Sequence, residues 1–197
     1  MSGRGLFIVL EGIDGSGKTT LRDRICAALT SMGVTAIPTA EPTKGRIGSI
    51  LRDGGTDNPY AEAFLFMADR ACHTDEIIGM VEDGRTVVCD RYYASTLAYQ
   101  SAGDTPVDID LLKDLNGRVT VEPDITFLLD IDPETGMGRV TGRGEDISKF
   151  ERLDFQRRVR DRYLEIAAEK GFVILDASLP QDELLSVSME YIMERMR

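Results

Sequence analysis

Along the chain, short apolar runs alternate with longer segments in which apolar residues recur every three or four positions. The runs are Leu6–Leu10, Val34–Ile37, Thr86–Cys89, Ile125–Ile131 and Phe172–Leu175. The longer segments are Lys18–Met32, Asn58–Glu82, Asp108–Asn116 and Phe150–Lys170. Such runs are typical of buried strands, and the longer pattern is typical of amphipathic helices. The alternation predicts a single α/β domain over residues 1–197, with a five-stranded parallel sheet flanked by helices on both faces.

A glycine-rich turn follows the first apolar run, at the edge of the sheet where ligands of parallel α/β folds bind. The turn, Gly12-Ile13-Asp14-Gly15-Ser16-Gly17-Lys18-Thr19, matches the pattern G-x-x-x-x-G-K-[ST]. In that pattern backbone N–H groups surround phosphate oxygens, the lysine reaches the β- and γ-phosphates, and the hydroxyl binds Mg²⁺. The helix that follows adds an N-terminus that favours anions. The sequence therefore predicts a three-layer P-loop NTPase fold that binds a nucleoside triphosphate.

Charge and composition disfavour several other classes. The chain has 34 acidic and 23 basic residues and a net charge of −11, which disfavours a nucleic-acid-binding surface because phosphate backbones attract basic faces. No apolar run approaches the ~18 residues of a membrane span, and no secretory leader is apparent. Three cysteines without a paired spacing disfavour disulfides and zinc, and His73 is the single histidine. We therefore expect a cytoplasmic protein that binds neither nucleic acid nor membrane.

The residues after the third run narrow the class of P-loop protein. The chain lacks the guanine-reading motif N-K-x-D, and 197 residues suit a kinase of a small acceptor. Such a kinase needs a second anion site that faces the P-loop and a way to exclude water. Asp90 could organise Mg²⁺, and Arg91 could bind a phosphate through its planar guanidinium. Alternatively, Asp90 caps the next helix and pairs with Arg91.

Two sets of side chains with helical spacing could provide further contacts to a ligand. Four hydrogen-bonding side chains after Arg91 fall on or near one helical face, namely Ser95, Thr96, Tyr99 and Gln100. Their spacing suits a polar ligand and a solvated face equally well. Upstream, Phe66 and Arg70 lie one helical turn apart and could together stack on a base and donate to its carbonyl edge. By spacing alone, a core phenylalanine and a surface ion pair are the favoured interpretation.

An arginine-rich stretch follows the fourth run. Because glycines surround Arg139 and Arg143, we expect a short mobile lid over about residues 139–149 that closes over the triphosphate. The later arginines alternate with acidic residues, which predicts an ion-paired helix face in place of a binding patch. These arginines are Arg157, Arg158, Arg160 and Arg162.

Several motifs, in order along the chain, resemble those of thymidylate kinases. They are Leu10-Glu11-Gly12-Ile13-Asp14-Gly15-Ser16-Gly17-Lys18-Thr19-Thr20, Glu41-Pro42, Phe66-x-x-x-Arg70, Asp90-Arg91-Tyr92-x-x-Ser95 and Ala98-Tyr99-Gln100. The P-loop is generic, whereas the Asp-Arg-Tyr run with the residues after it is more specific. The resemblance implies phosphoryl transfer from MgATP to dTMP, with ADP and dTDP as products. It also implies a five-stranded parallel sheet wrapped by helices and a homodimer.

The same resemblance implies a role for each matching position. ATP would be bound by Gly12, Ile13, Asp14, Gly15, Ser16, Gly17, Lys18, Thr19, Thr20 and, in the lid, Arg143; Mg²⁺ would be held by Thr19 and Asp90. The dTMP site would comprise Asp14, Glu41, Arg52, Phe66, Arg70, Arg91, Ser95, Thr96, Tyr99 and Gln100. Within it, Phe66 would stack on thymine, Arg70 would bond its carbonyl edge, and Arg91 would hold the phosphate. The catalytic groups would be Lys18, Arg91, Asp14, Arg143 and Lys149.

The sequence departs from the family pattern at two places. Gly15 stands where some relatives carry a catalytic arginine, so a lid cation would replace it: Arg139, Arg143 or Lys149. The Glu41-Pro42 turn continues as Thr43-Lys44-Gly45-Arg46 where Gly-Gly is common, which leaves the roles of Lys44 and Arg46 open.

Two other functions remain compatible with the sequence. One is a kinase of a different nucleoside monophosphate with a related pocket. The other is a nucleotide-dependent switch without transferase activity, against which the Asp90-Arg91-Tyr92 run argues because it should face the P-loop. Binding of a monophosphate beside ATP separates a kinase from a switch.

Overall fold

The computed structural model describes residues 3–141 and 149–197, except for the side chains at positions 141 and 149–151. The strands are β1 (Phe7–Glu11), β2 (Ala36–Ala40), β3 (Thr86–Asp90), β4 (Ile125–Asp130) and β5 (Val173–Asp176). The helices are α1 (Lys18–Ser31), α2 (Arg46–Arg52), α3 (Pro59–Glu82), α4 (Tyr93–Ala102), α5 (Ile109–Val119), α6 (Pro133–Thr141), α7 (Lys149–Lys170) and α8 (Gln181–Arg195). Each strand overlaps the apolar run that predicted it.

The five strands form one parallel sheet in the order β2-β3-β1-β4-β5. β1 is the central strand, since it pairs with both β3 and β4, and all five of its residues are buried. Strands buried on both faces read as continuous apolar runs because helices cover both sides of a parallel sheet. The predicted three-layer α/β fold is therefore confirmed.

The parallel arrangement brings the candidate chemistry to one edge of the sheet. The P-loop leaves β1 after Glu11, and β3 ends beside it at Asp90, which lies in register with Leu10. The ladder extends one residue further, because the Arg91 N–H donates to the Leu10 carbonyl oxygen at 2.9 Å. Two loops that are far apart in sequence thus leave neighbouring strands side by side.

Besides α4, whose face was inferred from the spacing after Arg91, three helices lie outside the segments that periodicity predicted. α2 has seven residues, α6 contains Gly136 and Gly138, and α8 follows Pro180. Short length hides the periodic signal in α2, and the glycines weaken it in α6. The 15-residue α8 does carry a periodic signal, with Leu184, Ser188 and Ile192 buried at four-residue intervals, and the sequence analysis missed it. Arg139 belongs to the last turn of α6, so the expected lid begins as a helix. Residues 142–148, with Arg143, lie outside the described residues, as does the side chain of Lys149.

α7 carries the ion-paired face that the sequence predicts. Arg157 contacts Asp154 at 3.0 Å, and Arg162 contacts Glu165 at 2.7 Å. The other two arginines pair with acids of different elements: Arg158 with Asp104 at 3.0 Å, and Arg160 with Asp130 at 2.6 Å.

The cysteines are all free, with Cys26 and Cys89 buried and Cys72 exposed. None of the helices in the described part of the chain is both long and apolar enough to cross a bilayer.

Candidate active site

Lys18, the first residue of α1, folds back over the P-loop. Its Nζ donates to the carbonyl oxygens of Gly12 at 2.9 Å and Ile13 at 2.8 Å, and to Ser16 Oγ at 3.3 Å. Burial, together with the positive charge of Arg91, lowers the pKa of Lys18 to about 7. An anion placed in the loop would favour the charged form of this amine, so the arrangement fits a polyphosphate.

The Thr19 hydroxyl and the Asp90 carboxylate meet above the P-loop. Thr19 Oγ1 donates to Asp90 Oδ2 at 2.5 Å. Asp90 therefore neither caps α4 nor pairs with Arg91, and that alternative is wrong. Within residues 3–141 and 149–197, no three His, Cys, Asp or Glu side chains gather as a metal site. One hydroxyl and one carboxylate fit Mg²⁺, which takes few protein ligands and completes its shell with water and phosphate oxygens.

Arg91 occupies a left-handed backbone conformation, with φ at 70°, which non-glycine residues rarely adopt. Its Nη2 donates to Asp14 Oδ1 at 2.6 Å and to the Tyr99 hydroxyl at 3.2 Å, and its Nη1 donates to Ser95 Oγ at 3.2 Å. The guanidinium also lies 4.9 Å from the centroid of the Tyr99 ring. These contacts direct the side chain toward the P-loop.

Glu11 holds the chain immediately after Arg91. Its Oε1 accepts the backbone N–H groups of Tyr92 at 2.9 Å and Ser95 at 3.1 Å, and its Oε2 accepts the hydroxyls of Ser95 at 2.6 Å and Tyr163 at 3.0 Å. Glu11 is fully buried, and this burial raises its pKa. It supplies the N-terminal cap of α4 from the neighbouring strand, a role that the sequence analysis missed.

Two cavities meet at Arg91, which lines both. The first, of about 820 Å³, lies over the P-loop. Its lining includes the predicted Asp14, Gly15, Gly17, Lys18, Thr19, Thr20 and Asp90. Arg139 and the β5–α8 turn (Ser178, Leu179, Pro180 and Gln181) complete it. The turn carries no motif, so sequence reasoning missed it.

The second cavity, of about 430 Å³, lies between α3 and α4. Its lining includes eight of the predicted acceptor-site residues: Glu41, Phe66, Arg70, Arg91, Ser95, Thr96, Tyr99 and Gln100. The four polar side chains of α4 thus line a cavity and do not form a solvated face. Phe155 of α7 closes the cavity, and its ring lies 5.9 Å from that of Tyr99.

Arg70 is fully buried, whereas Phe66 is only partly buried. The interpretation as a core phenylalanine and a surface ion pair is therefore wrong in both halves. Arg70 contacts Glu41 Oε2 through Nη2 at 2.7 Å and through Nε at 2.8 Å. Its Nη1 donates to Asn116 Oδ1 at 2.7 Å, and its Nη2 donates to Thr96 Oγ1 at 3.0 Å. The guanidinium is fixed at the cavity wall by partners from α4, from α5 and from the loop that follows β2.

His73 lies behind Glu41 and is buried. Its Nδ1 lies 3.0 Å from Glu41 Oε1, and its Nε2 lies 2.7 Å from Thr39 Oγ1. The three-residue spacing from Arg70 was the available signal, since residues at i and i+3 share a helix face. Glu41 thus contacts Arg70 and His73 directly.

Of the other cations considered from the sequence whose side chains the structure describes, only Arg139 lines one of the two cavities, whereas Arg52, Lys44 and Arg46 line neither. Arg52 is exposed and donates to the Pro42 carbonyl at 3.3 Å, at the edge of the second cavity. Lys44 and Arg46 are exposed. The turn that contains them is held by Asp69, which accepts the N–H of Thr43 at 2.7 Å and its hydroxyl at 2.6 Å. Arg139 reaches the carbonyl oxygens of Gly15 at 3.4 Å and Ala177 at 3.2 Å.

Comparison with known proteins gives a consistent result. The model of the thymidylate kinase family matches residues 10–187. A probable thymidylate kinase of Pyrobaculum calidifontis is 40% identical over 184 residues, which cover 91% of each chain. The thymidylate kinase of Carboxydothermus hydrogenoformans is 40% identical, covering 92% of this chain and 93% of its own. That of Deinococcus radiodurans is 39% identical over 98% of both chains. With a P-loop, an Asp-Arg-Tyr turn that faces it and a match over most of its length, the chain belongs to the thymidylate kinase family.

Proposed function

We propose that this protein phosphorylates dTMP to dTDP with ATP as the donor, as one kinase domain over residues 1–197. The observation that carries the proposal is the position of Arg91, which lines both the P-loop cavity and the cavity between α3 and α4. A donor phosphate in the first and an acceptor phosphate in the second would meet at this guanidinium. Such a meeting point is what in-line phosphoryl transfer between two anions requires.

The transfer breaks the bond between the γ-phosphorus and the β–γ bridging oxygen and forms one from that phosphorus to a dTMP phosphate oxygen. The acceptor oxygen is already ionised at pH 7, so no strong base is needed. Lys18 and Arg91 would neutralise the negative charge that otherwise keeps the two groups apart. Asp14 contacts Arg91 at 2.6 Å and lines the P-loop cavity, from which it would approach the deoxyribose end of dTMP or the pair of phosphates.

The P-loop residues Gly12 to Thr20 would bind the ATP phosphates through backbone N–H groups. Thr19 and Asp90 would hold Mg²⁺, which would supply positive charge against the phosphates. The cavity between α3 and α4 would hold the phosphate acceptor and is called the acceptor cavity from here on. In it, Phe66 would stack on the base and Arg70 would donate to its carbonyl edge. Ser95, Thr96, Tyr99, Gln100, Glu41 and Arg52 complete the proposed dTMP site.

For the lid cation, Arg139 has the best structural support among the described residues, because it already reaches the P-loop carbonyl of Gly15. Arg143 and Lys149 stay candidates from the sequence, Arg143 against adenine. Loss of turnover in Arg139→Ala with unchanged KM values for both substrates would assign the role to Arg139. Unchanged turnover would assign it to one of the other two.

We also propose a homodimer formed through α3. This helix exposes Tyr60, Phe64 and Ile78 together with the small residues Ala68 and Gly79. Tyr60 and Ile78 are eighteen residues apart, which is five helical turns, so they share a face. Phe64→Glu should shift the mass measured by light scattering from dimer to monomer.

We further place the protein in the cytoplasm, where ATP and nucleoside monophosphates are available. Fluorescence imaging of the tagged protein would check this location.

The test is ADP release with MgATP and a panel of dTMP, dUMP, dCMP, dGMP, AMP and UMP. We expect dTMP to dominate, with dUMP a weaker substrate because a buried methyl group contributes only ~1–3 kcal/mol. Lys18→Ala is the negative control and should lose several orders of magnitude in turnover while it stays folded. ATP binding without release of ADP for any acceptor would contradict the proposal and favour a switch.

A further inference from the structure

Two polar contacts cross the acceptor cavity between α3 and α4. Glu62, Phe66 and Arg70 follow one another at four-residue intervals on α3, and Thr96 and Gln100 do so on α4. Arg70 Nη2 donates to Thr96 Oγ1 at 3.0 Å, and Gln100 Nε2 donates to Glu62 Oε2 at 3.1 Å. All five residues line the cavity. Along α3, Phe66 lies between the residues that make the two contacts, so a ring stacked on it has a polar group on either side.

We propose that Glu62, through its contact with Gln100, is a positioning residue that sets which base edge the cavity accepts. A carboxylate can only accept hydrogen bonds. Gln100 must therefore turn its NH₂ group toward Glu62, because the flipped amide would place Gln100 Oε1 against the carboxylate oxygens. Gln100 Oε1 is then the atom that the amide offers to a ring in the cavity, as an acceptor.

An acceptor from Gln100 and a donor from Arg70 select a particular pyrimidine edge. Thymine and uracil carry an N3–H donor beside a C4 carbonyl acceptor, which complements both groups. Cytosine carries an N3 acceptor beside a C4 amino donor, which opposes both. Sites whose buried polar groups are left unpaired by a substrate discriminate strongly against it. Glu62 thus lowers kcat/KM for dCMP through its contact with Gln100 and not through a contact with the substrate.

Arg70 has its own carboxylate partner in Glu41, at 2.7 Å. Each group that reads the base is therefore held by a separate acid, Arg70 by Glu41 and Gln100 by Glu62. Substitution of Glu62 should therefore free the Gln100 amide to rotate, while the Arg70 guanidinium stays in place as the donor.

The test compares Glu62→Gln with wild type for dTMP, dUMP and dCMP. A neutral amide at position 62 can donate or accept, so it no longer fixes the Gln100 amide. We expect kcat/KM to fall about tenfold for dTMP and for dUMP, the equivalent of one lost hydrogen bond. The value for dCMP should hold or rise, and KM for ATP should not change. The matched control is Glu76→Gln, the same charge change at an exposed position of α3, which should leave all values unchanged.

A double-mutant cycle with Gln100→Leu decides whether Glu62 acts through Gln100. In the Gln100→Leu background, Glu62→Gln should no longer alter the ratio of dTMP to dCMP. Equal losses for dTMP and dCMP, or a ratio that still changes in that background, would overturn the proposal. The inference rests on the proposed function, and wild-type protein separates the two failures. If wild type does not phosphorylate dTMP, the function fails; if it does and the ratio ignores Glu62, this inference alone fails.

Discussion

Gly15 of the P-loop packs directly against the backbone of Gly136 in α6. A Cβ atom at Gly15 would lie 2.1 Å from the Gly136 carbonyl oxygen, and the φ of Gly15 is +78°. A Cβ atom at Gly136 would in turn lie 2.7 Å from the Asp14 carbonyl oxygen. The position where some thymidylate kinases carry an arginine is therefore closed to any side chain here, and a cation for the transferring phosphoryl has to come from another part of the chain.

Gly15→Ala should displace the P-loop from α6 and lower kcat/KM for ATP at least about tenfold, since the left-handed backbone alone costs ~1–2 kcal/mol with a Cβ atom. Gly138→Ala is the control on the same helix, because a Cβ atom there would meet nothing within 4 Å. Steady-state kinetics with ATP varied would check both variants. Matching kinetics for the two would show that the close approach is unimportant.

ATP binding at pH 8 should take up close to one proton. The pKa of Lys18 is about 7 because of its burial and the charge of Arg91, so the amine is mostly neutral at pH 8 until a triphosphate restores its ordinary, higher pKa. The complex then binds more protons than the free protein, and ATP affinity should fall as pH rises above 7. Calorimetry in buffers of different ionisation enthalpy measures the uptake. Lys18→Arg stays charged and should abolish it, while an enthalpy independent of buffer in wild type would refute the prediction.

Loss of Glu11 should impair turnover through Arg91, although Glu11 touches neither proposed substrate. Glu11→Ala removes the carboxylate that accepts the N–H groups of Tyr92 and Ser95 and the hydroxyls of Ser95 and Tyr163, at a cost of about 3 kcal/mol in unfolding free energy. The turn that holds Arg91 should relax, so kcat falls more than either KM rises. Glu122→Gln is a milder control, because Glu122 also contacts α4, through the Tyr93 hydroxyl at 3.3 Å. The free energy of unfolding in denaturant and the steady-state constants kcat and KM would be measured for both variants. Equal values for Glu11→Ala and Glu122→Gln would argue against this role of Glu11.

Arg70→Ala should destabilise the protein by about 3–5 kcal/mol, because it leaves the buried Glu41 carboxylate without a counter-charge. The paired variant Arg70→Met, Glu41→Leu should recover most of that stability, since an apolar pair of similar volume can replace a buried ion pair. It should not recover dTMP binding, so KM for dTMP stays high while KM for ATP stays near the wild-type value. If KM for dTMP recovers along with the melting temperature, Arg70 serves the fold alone.

The sequence by itself determined the parallel sheet, the P-loop and the two helical faces beside it. Runs such as Ile125–Ile131 and the motif ending in Lys18-Thr19 are local, because period and spacing are fixed by the chain within a few residues. The sequence also placed Phe66 one turn from Arg70, and Thr96 one turn from Gln100. A spacing defines which residues share a face, and it predicted those faces correctly.

Only the tertiary structure decided what each face meets. Spacing favoured an exposed Arg70, yet Glu41, Asn116 and Thr96 converge on it from elsewhere in the chain and make its burial possible. Glu11 lies 152 residues from Tyr163 and still accepts its hydroxyl. Such partners are invisible to a pattern with a period of 3.6, since a buried charge needs a counter-charge in space and not in sequence. The same sheet crossovers bring α6 against Gly15, which is why the P-loop here has no room for a side chain.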